Sequence, residues 1–264
     1  MTANTNTIRI AARKILREAV RRIFPKSVRI DGSIIPSRTT TIAGPKFKNY
    51  RLYLESSEKE AKRLVEHFQC NINSRVLDIG CGLGRLPIGI LRITGEIDYT
   101  GIDVDNISIT WCKRFIGKYH HSFKFHHLSV YNERYNNKGT KIDRDFHFDF
   151  PDSSVDIIYL FSVFSHTTEE DMRIYLKEFD RILRDNGFIF FTTFVEENVP
   201  DITFNPENYS IKCSGPLHIV RYNKEYIFSI IEEYGFTIVN FAQSVEVDGQ
   251  SGLYLGKRKI NRFP

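Results

Sequence analysis

The stretch Val76-Leu77-Asp78-Ile79-Gly80-Cys81-Gly82-Leu83-Gly84-Arg85 holds the residues whose types and spacing point most directly to chemistry. An apolar run ends in an acid and is followed by glycines at alternate positions. A buried parallel strand turns into a helix in this way, leaving backbone exposed to a ligand, and the ligand class implied is nucleotide-like. Farther along, Asp103 closes Gly101-Ile102-Asp103 with a carboxylate able to accept two hydrogen bonds from a diol. His166 supplies an imidazole whose ordinary pKa of roughly 6.5 lets it take a proton at neutral pH. The reading in which His166 only packs or hydrogen-bonds at the start of a helix stands beside that one. His120, His121, His126 and His127 form two adjacent pairs without an acid at helical spacing. They fit a solvated helix end and a strand with alternating side chains, so no metal site is expected.

These groups need elements to position them, and from Arg75 strands and helices alternate regularly. Strands are predicted at Val76–Ile79, Tyr99–Ile102, Phe123–Leu128, Val155–Phe161 and Phe188–Phe194. Helices are predicted at Gly84–Ile93, Ile107–Lys118 and Glu169–Leu183. The last of these has Thr168 as its cap, three acids in its first turn, and Asn186-Gly187 as its stop. Such alternation implies a parallel sheet covered on both faces. A helix at Lys224–Tyr234 ends at Gly235, and strands Thr237–Phe241 and Gly252–Lys257, joined through Asp248-Gly249, form an antiparallel edge hairpin. Before the sheet, Tyr50–Phe68 reads as one or two helices, with Ser56-Ser57-Glu58 as a candidate internal cap. Two long segments, Tyr131–His147 and Val195–Asn223, follow strand ends and are predicted to shape a pocket; Tyr131, Tyr209 and His218 are their candidate side chains.

Composition sets the class. With 264 residues, 41% hydrophobic and 26% charged, the chain reads as one α/β domain with decorations. No run of 18 apolar residues and no secretory signal pattern occurs, so a cytoplasmic location is expected. Cys70, Cys81, Cys112 and Cys213 are too far apart for a C-x-x-C pair and are expected as free thiols, without zinc or disulfide. The net charge is +5, yet residues 1–30 carry eight basic side chains against Glu18 alone, which leaves the remainder slightly acidic. Residues 7–24 have the periodicity of a basic amphipathic helix. It reads as a helix packed on this domain or a partner protein, as a peripheral anchor on an anionic inner membrane surface, or as an organellar presequence. Pro25, Gly32 and Pro36 break it and Ser37–Pro45 is a connector, giving expected boundaries of 1–45 for the basic helix and connector and 46–264 for the main domain.

The ligand class follows from spacing. A dinucleotide fingerprint is G-x-G-x-x-G, whereas this chain has G-x-G-x-G and a bulky Arg85 where the third glycine would pack. Asp78-Ile79-Gly80-Cys81-Gly82-Leu83-Gly84 resembles the glycine motif of class I S-adenosylmethionine-dependent methyltransferases. The block Phe148–Ile158, Ser162-Val163-Phe164-Ser165-His166 and Arg181–Gly187 looks like the region after the fourth strand of that superfamily. It is most similar to a bacterial subgroup linked to glycan and secondary-metabolite assembly. The resemblance implies a doubly wound, seven-stranded Rossmann-like sheet with an antiparallel C-terminal hairpin strand. It also implies S-adenosylmethionine as cofactor and methyl transfer to a small-molecule or glycan acceptor, at oxygen in our reading. By the same likeness Asp78, Gly80, Cys81, Gly82 and Gly84 approach the methionine and ribose end, Asp103 the ribose, and Val104, Ser129 and Val130 the adenine. Phe161 offers its carbonyl to the cofactor's amino group. Where relatives carry an acid to read adenine, this chain has Ser129-Val130. Two other readings are an RNA methyltransferase, suggested by the basic tail alone, and a degenerate scaffold at a membrane-associated assembly. Nucleic acid is not expected, because no basic stripe crosses the domain.

Overall fold

In the computed structural model, which describes residues 26–40, 45–207 and 209–257, the strands assemble in the order β5-β4-β3-β6-β7-β11-β10. These are β3 (Arg75–Ile79), β4 (Asp98–Asp103), β5 (Phe123–His127), β6 (Val155–Leu160), β7 (Leu183–Glu196), β10 (Phe236–Ala242) and β11 (Ser251–Lys257). The pairs β5-β4, β4-β3, β3-β6 and β6-β7 are parallel, while β11 runs antiparallel to both of its neighbours. The doubly wound sheet of seven strands and the antiparallel C-terminal hairpin are those expected. The amphipathic helix expected over 7–24 lies outside the described residues.

Alternation along the strands divides the core between two faces. Val76, Tyr99, Ile157, Tyr159 and Phe190 point to one face, which is covered by α1 (Tyr50–Phe68), α2 (Arg85–Ile93) and α3 (Asn106–Cys112). Leu77, Ile79, Ile158, Leu160 and Ile189 point to the other, covered by α4 (Glu169–Ile182) and α5 (Lys224–Glu233). Thr168 caps α4 as expected, accepting a hydrogen bond from the Asp171 amide, and Gly235 at φ 81° follows the end of α5.

Four features depart from expectation. Helix α1 is a single helix whose cap is Asn49, bonded to the Arg51 and Leu52 amides; Ser56 and Ser57 turn inward and donate to carbonyls three residues back. Helix α4 ends at Ile182, within a residue of the expected Leu183, but the residues up to Gly187, expected as its stop, already belong to β7. Leu183 already pairs with Val155, and the intervening polar residues make a register irregularity at the start of β7. Tertiary pairing there overrides a local stop signal. Helix α3 ends in a wide turn, Lys113–Gly117. Finally, β1 (Ser27–Ile30) and β2 (Ser33–Pro36) form a hairpin across Asp31-Gly32. Gly32 and Pro36 are therefore hairpin residues and not simply helix breakers. Ile35 is fully buried in the core beneath α2, and Trp111 Nε1 donates to the Lys26 carbonyl at 3.3 Å.

The long segment Val195–Asn223 also contains two short strands, β8 (Ile202–Phe204) and β9 (Val220–Asn223); β9 adds in parallel to the far end of β7.

Helices α1 and α2 pack at glycine contact distance, because a Cβ on Gly89 would collide with the Ser57 carbonyl. Backbone cannot yield as a flexible side chain can, so Gly89→Ala is expected to destabilise the fold by about 1–3 kcal/mol or more, read from the urea midpoint. An unchanged midpoint would show that the two helices separate freely.

Candidate functional site

The strand order reverses between β3 and β6, so the connections leaving these two strands diverge and open a crevice beyond their C-terminal ends. A cavity of about 760 Å³ occupies it, within the roughly 300–1,000 Å³ typical of small-ligand sites. Of the residues singled out in the sequence, Gly80, Cys81, Gly82, Asp103, Val104, Val130, Tyr131, Phe161, His166 and His218 line it.

One wall is the glycine turn. Gly80 and Cys81 amides both bond the Ile102 carbonyl, fastening the turn to β4. Gly82 sits at φ 52° with open space where a side chain would be, and its amide donates to Asp103 Oδ2 at 2.7 Å. The Asp105 amide donates to Asp103 Oδ1, also at 2.7 Å. Asp103 thus has both oxygens engaged by backbone and keeps lone pairs for a ligand diol. Burial raises its pKa to about 6, against the opposing pull of those two amides. Leu128, Val104 and Val130 add apolar surface; Ser129 is exposed and does not line the cavity.

Asp78 and Gly84 lie behind this wall. The Tyr99 hydroxyl donates to Asp78 at 2.6 Å, and burial pushes that carboxyl up to about 8. A Cβ on Gly84 would stand 2.5 Å from Ile116 Cδ1, so the third glycine lets α2 start against the turn that ends α3. Arg85, which sequence spacing used only to exclude a dinucleotide motif, lines the cavity. It lies 4.6 Å from the ring centres of both Phe47 and Phe161 and pairs with buried Glu60 at 2.7 Å.

The opposite wall follows β6. Ser162 adopts φ 60°, a left-handed conformation that a residue with a Cβ holds only when its surroundings enforce it. They do so here: its amide donates to Thr192 Oγ1 at 2.8 Å, Thr192 donates to Gln250 Oε1 at 2.7 Å, and Gln250 Nε2 donates to Ser162 Oγ at 2.8 Å. His166 follows on the 3₁₀ turn Phe164–His166. Its Nδ1 is 3.0 Å from the Leu217 carbonyl, which only accepts, so Nδ1 carries the proton and Nε2 keeps its lone pair. Nε2 lies 3.4 Å from Ser162 Oγ. The His218 ring stacks at 6.5 Å and Tyr135 meets His166 edge-on at 5.7 Å. Burial, with smaller contributions from Arg134 and His218, lowers the His166 pKa to about 4. Tyr209 is not brought to the cavity; its hydroxyl donates to Glu196 at 2.8 Å. Gln250 and Thr167, which line the cavity, carried no sequence signal of their own; Ser162 stood in the Ser162-Val163-Phe164-Ser165-His166 motif and Arg134 in the Tyr131–His147 segment, neither with an assigned role.

Residues 77–189 match the family model described as a methyltransferase domain. That segment carries the glycine turn, Asp103 and His166, and the match supports an enzyme of the methyltransferase kind with S-adenosylmethionine as its cofactor. Solved structures show the same fold at low identity. A SAM-dependent methyltransferase from Aquifex aeolicus is 18% identical, covering 78% of this chain and 92% of its own, with a TM-score of 0.51. The glycopeptide N-methyltransferase MtfA, solved with S-adenosylhomocysteine, is 11% identical over 76% of this chain and 90% of its own, with a TM-score of 0.54. The [4+2]-cyclase SpnF is 16% identical over 77% and 82%, with a TM-score of 0.55. The fold is therefore shared by proteins whose reactions differ, and the reaction must be argued from the cavity.

The His166 geometry makes a direct expectation. Long-range ¹⁵N–¹H spectra of the imidazoles should find His166 neutral at pH 6, protonated on Nδ1, with a titration midpoint near 4. A midpoint near 6.5 would mean that the ring is solvated and not held against Leu217.

Proposed function

We propose that the cavity binds S-adenosylmethionine against the glycine turn and that the chain transfers its methyl group to a hydroxyl of a small molecule or glycan. The observation that carries the acceptor chemistry is the fixed tautomer of His166, whose unprotonated Nε2 stands beside Ser162 in the cavity. When bound, the cofactor supplies a sulfonium-activated methyl group. The residues present fit it: Gly82 leaves the turn open, Asp103 retains acceptor capacity for the ribose hydroxyls, and Leu128, Val104 and Val130 offer an apolar seat for a base.

The chain's own part is alignment and proton management. Phe161 and Ser162, at the end of β6, sit between the two halves of the cavity. Gln250 and Thr192 hold Ser162 in its left-handed conformation. With the cofactor bound, whose methyl–sulfur bond would break with its electron pair leaving on sulfur as a neutral thioether, His166 Nε2 would be placed to accept the acceptor's hydroxyl proton while Nδ1 stays hydrogen-bonded to Leu217. Tyr131 and His218 belong to the acceptor side of the same cavity.

Two outcomes test this reading. Calorimetric affinity for S-adenosylhomocysteine should be level above pH 7 and fall as pH drops through about 6, because protonating Asp103 removes an acceptor from the ribose. Asp103→Asn should weaken binding roughly tenfold to a hundredfold, as expected for losing hydrogen bonds to a charged group; an affinity independent of both pH and this substitution removes Asp103 from the site. With cofactor saturating, His166→Ala should lower kcat by about 10²–10⁴ while leaving S-adenosylhomocysteine affinity unchanged. Full turnover in that variant would return His166 to a packing role.

A further inference from the structure

One side of the cavity contains a cation that no carboxylate contacts among the described residues. Arg134 lies on the excursion between β5 and β6 and lines the cavity. Its Nη1 donates to the Ser214 carbonyl at 2.8 Å and the Pro216 carbonyl at 3.3 Å, which fixes the guanidinium in place. Its Nε is buried without a partner, and among the described residues no carboxylate pairs with it. Carbonyl dipoles orient a guanidinium but leave its full charge uncompensated. Thr167 Oγ1, also in the cavity lining, is likewise buried with no hydrogen-bond partner. Nη2 makes no hydrogen bond among the described residues and, unlike Nε, is not sealed from solvent, so it is the edge of the guanidinium left to a ligand in the cavity, with the Thr167 side chain another polar group of the same lining.

The other charges of the cavity are accounted for. Arg85 is neutralised by Glu60 at 2.7 Å. Asp103 is held by two amides, Asp105 caps α3 through the Ile107 and Ser108 amides, and Asp171 lies in the first turn of α4. Asp248 lies in the β10–β11 connection, where it acts on His218 and offsets part of the influence of Arg134 on that ring. The guanidinium only donates and carries a positive charge, and the Thr167 hydroxyl is able to donate beside it, so the complementary ligand group is an acceptor with negative charge.

We propose that the methyl acceptor carries an oxyanion, a carboxylate or a phosphate, bound by Arg134 with the Thr167 hydroxyl as a second donor. This deepens the function proposed above and rests on it, since it takes this half of the cavity as the acceptor site. It also couples binding to chemistry. Arg134 is one of the charges that keep His166 unprotonated, so an oxyanion on Arg134 offsets that influence and makes His166 more basic when substrate is present.

The test uses the full chain saturated with S-adenosylhomocysteine and three probes followed by calorimetry: inorganic phosphate, glucuronate and glucose. The expected result is saturable binding of phosphate or glucuronate at least tenfold tighter than glucose, the stronger of the two anions identifying the source of the charge. Arg134→Gln should lose at least tenfold of that affinity, and Arg134→Lys, which keeps a charge without the fork, should lose less. The His166 titration midpoint should rise when the anion is bound. The proposal is overturned if neither anion exceeds glucose, if Arg134→Gln binds as the parent does, or if Arg134→Lys loses as much as Arg134→Gln. Failure of S-adenosylhomocysteine itself to bind would instead refute the donor site. The anion titration repeated on the ligand-free chain would then still decide the role of Arg134.

Discussion

The whole site depends on a constraint of connectivity. After β3 the chain builds outward through β4 and β5, then returns to lay β6 on the opposite side of β3. Two connections therefore leave adjacent parallel strands in opposite directions, and no helix can fill the gap between them. The glycine turn after β3, Asp103 at the end of β4 and the Phe161–His166 segment after β6 are then neighbours without having been close in sequence. The backbone amides of Gly82 and Asp105 convert that neighbourhood into a rigid wall by seizing both oxygens of Asp103.

The sheet was largely legible in the sequence because its determinants are local and redundant. Apolar strand runs, a capped α4 and regular alternation leave few alternatives, and the strand edges fall within a residue or two of expectation over most of the domain. The errors arose where distant partners decide. Asn186-Gly187 is a sound local stop, but pairing of Leu183 with Val155 starts β7 at Leu183 and not at the expected Phe188. The β1-β2 hairpin has only four residues per strand, too short for periodicity to announce, and depends on a core contact through Ile35. In the site, Gly82, Asp103 and His166 were legible because their chemistry or spacing is distinctive. Gly84 and Asp78 belong to the same motif yet serve packing and an internal hydrogen bond, since a linear pattern does not say which side of a turn faces solvent. Arg134, Thr167 and Gln250 gained their meaning only from what they lie against.

Charge buried on the α1 side gives the cavity a second foundation. Arg63 of α1 donates to the hydroxyls of Tyr254 and Tyr159 and pairs with Glu246, while Glu60 one turn earlier holds Arg85. These contacts connect α1, the sheet and the β10–β11 connection that presents Gln250. Removing one member of such a buried set leaves the others uncompensated, so the arrangement is held far more firmly than its surface-exposed pairs, such as Arg51 with Glu55, are.

The groups on the two sides of the cavity come from different kinds of chain segment. Those facing the donor sit at strand ends, where hydrogen bonding across the sheet tolerates little revision. Arg134, Tyr131, Ile211 and His218 come from two excursions between strands, whose ends are fixed but whose interiors cross the surface. Insertion, deletion or exchange within those excursions would consequently reshape that side of the cavity while leaving the strand ends opposite untouched.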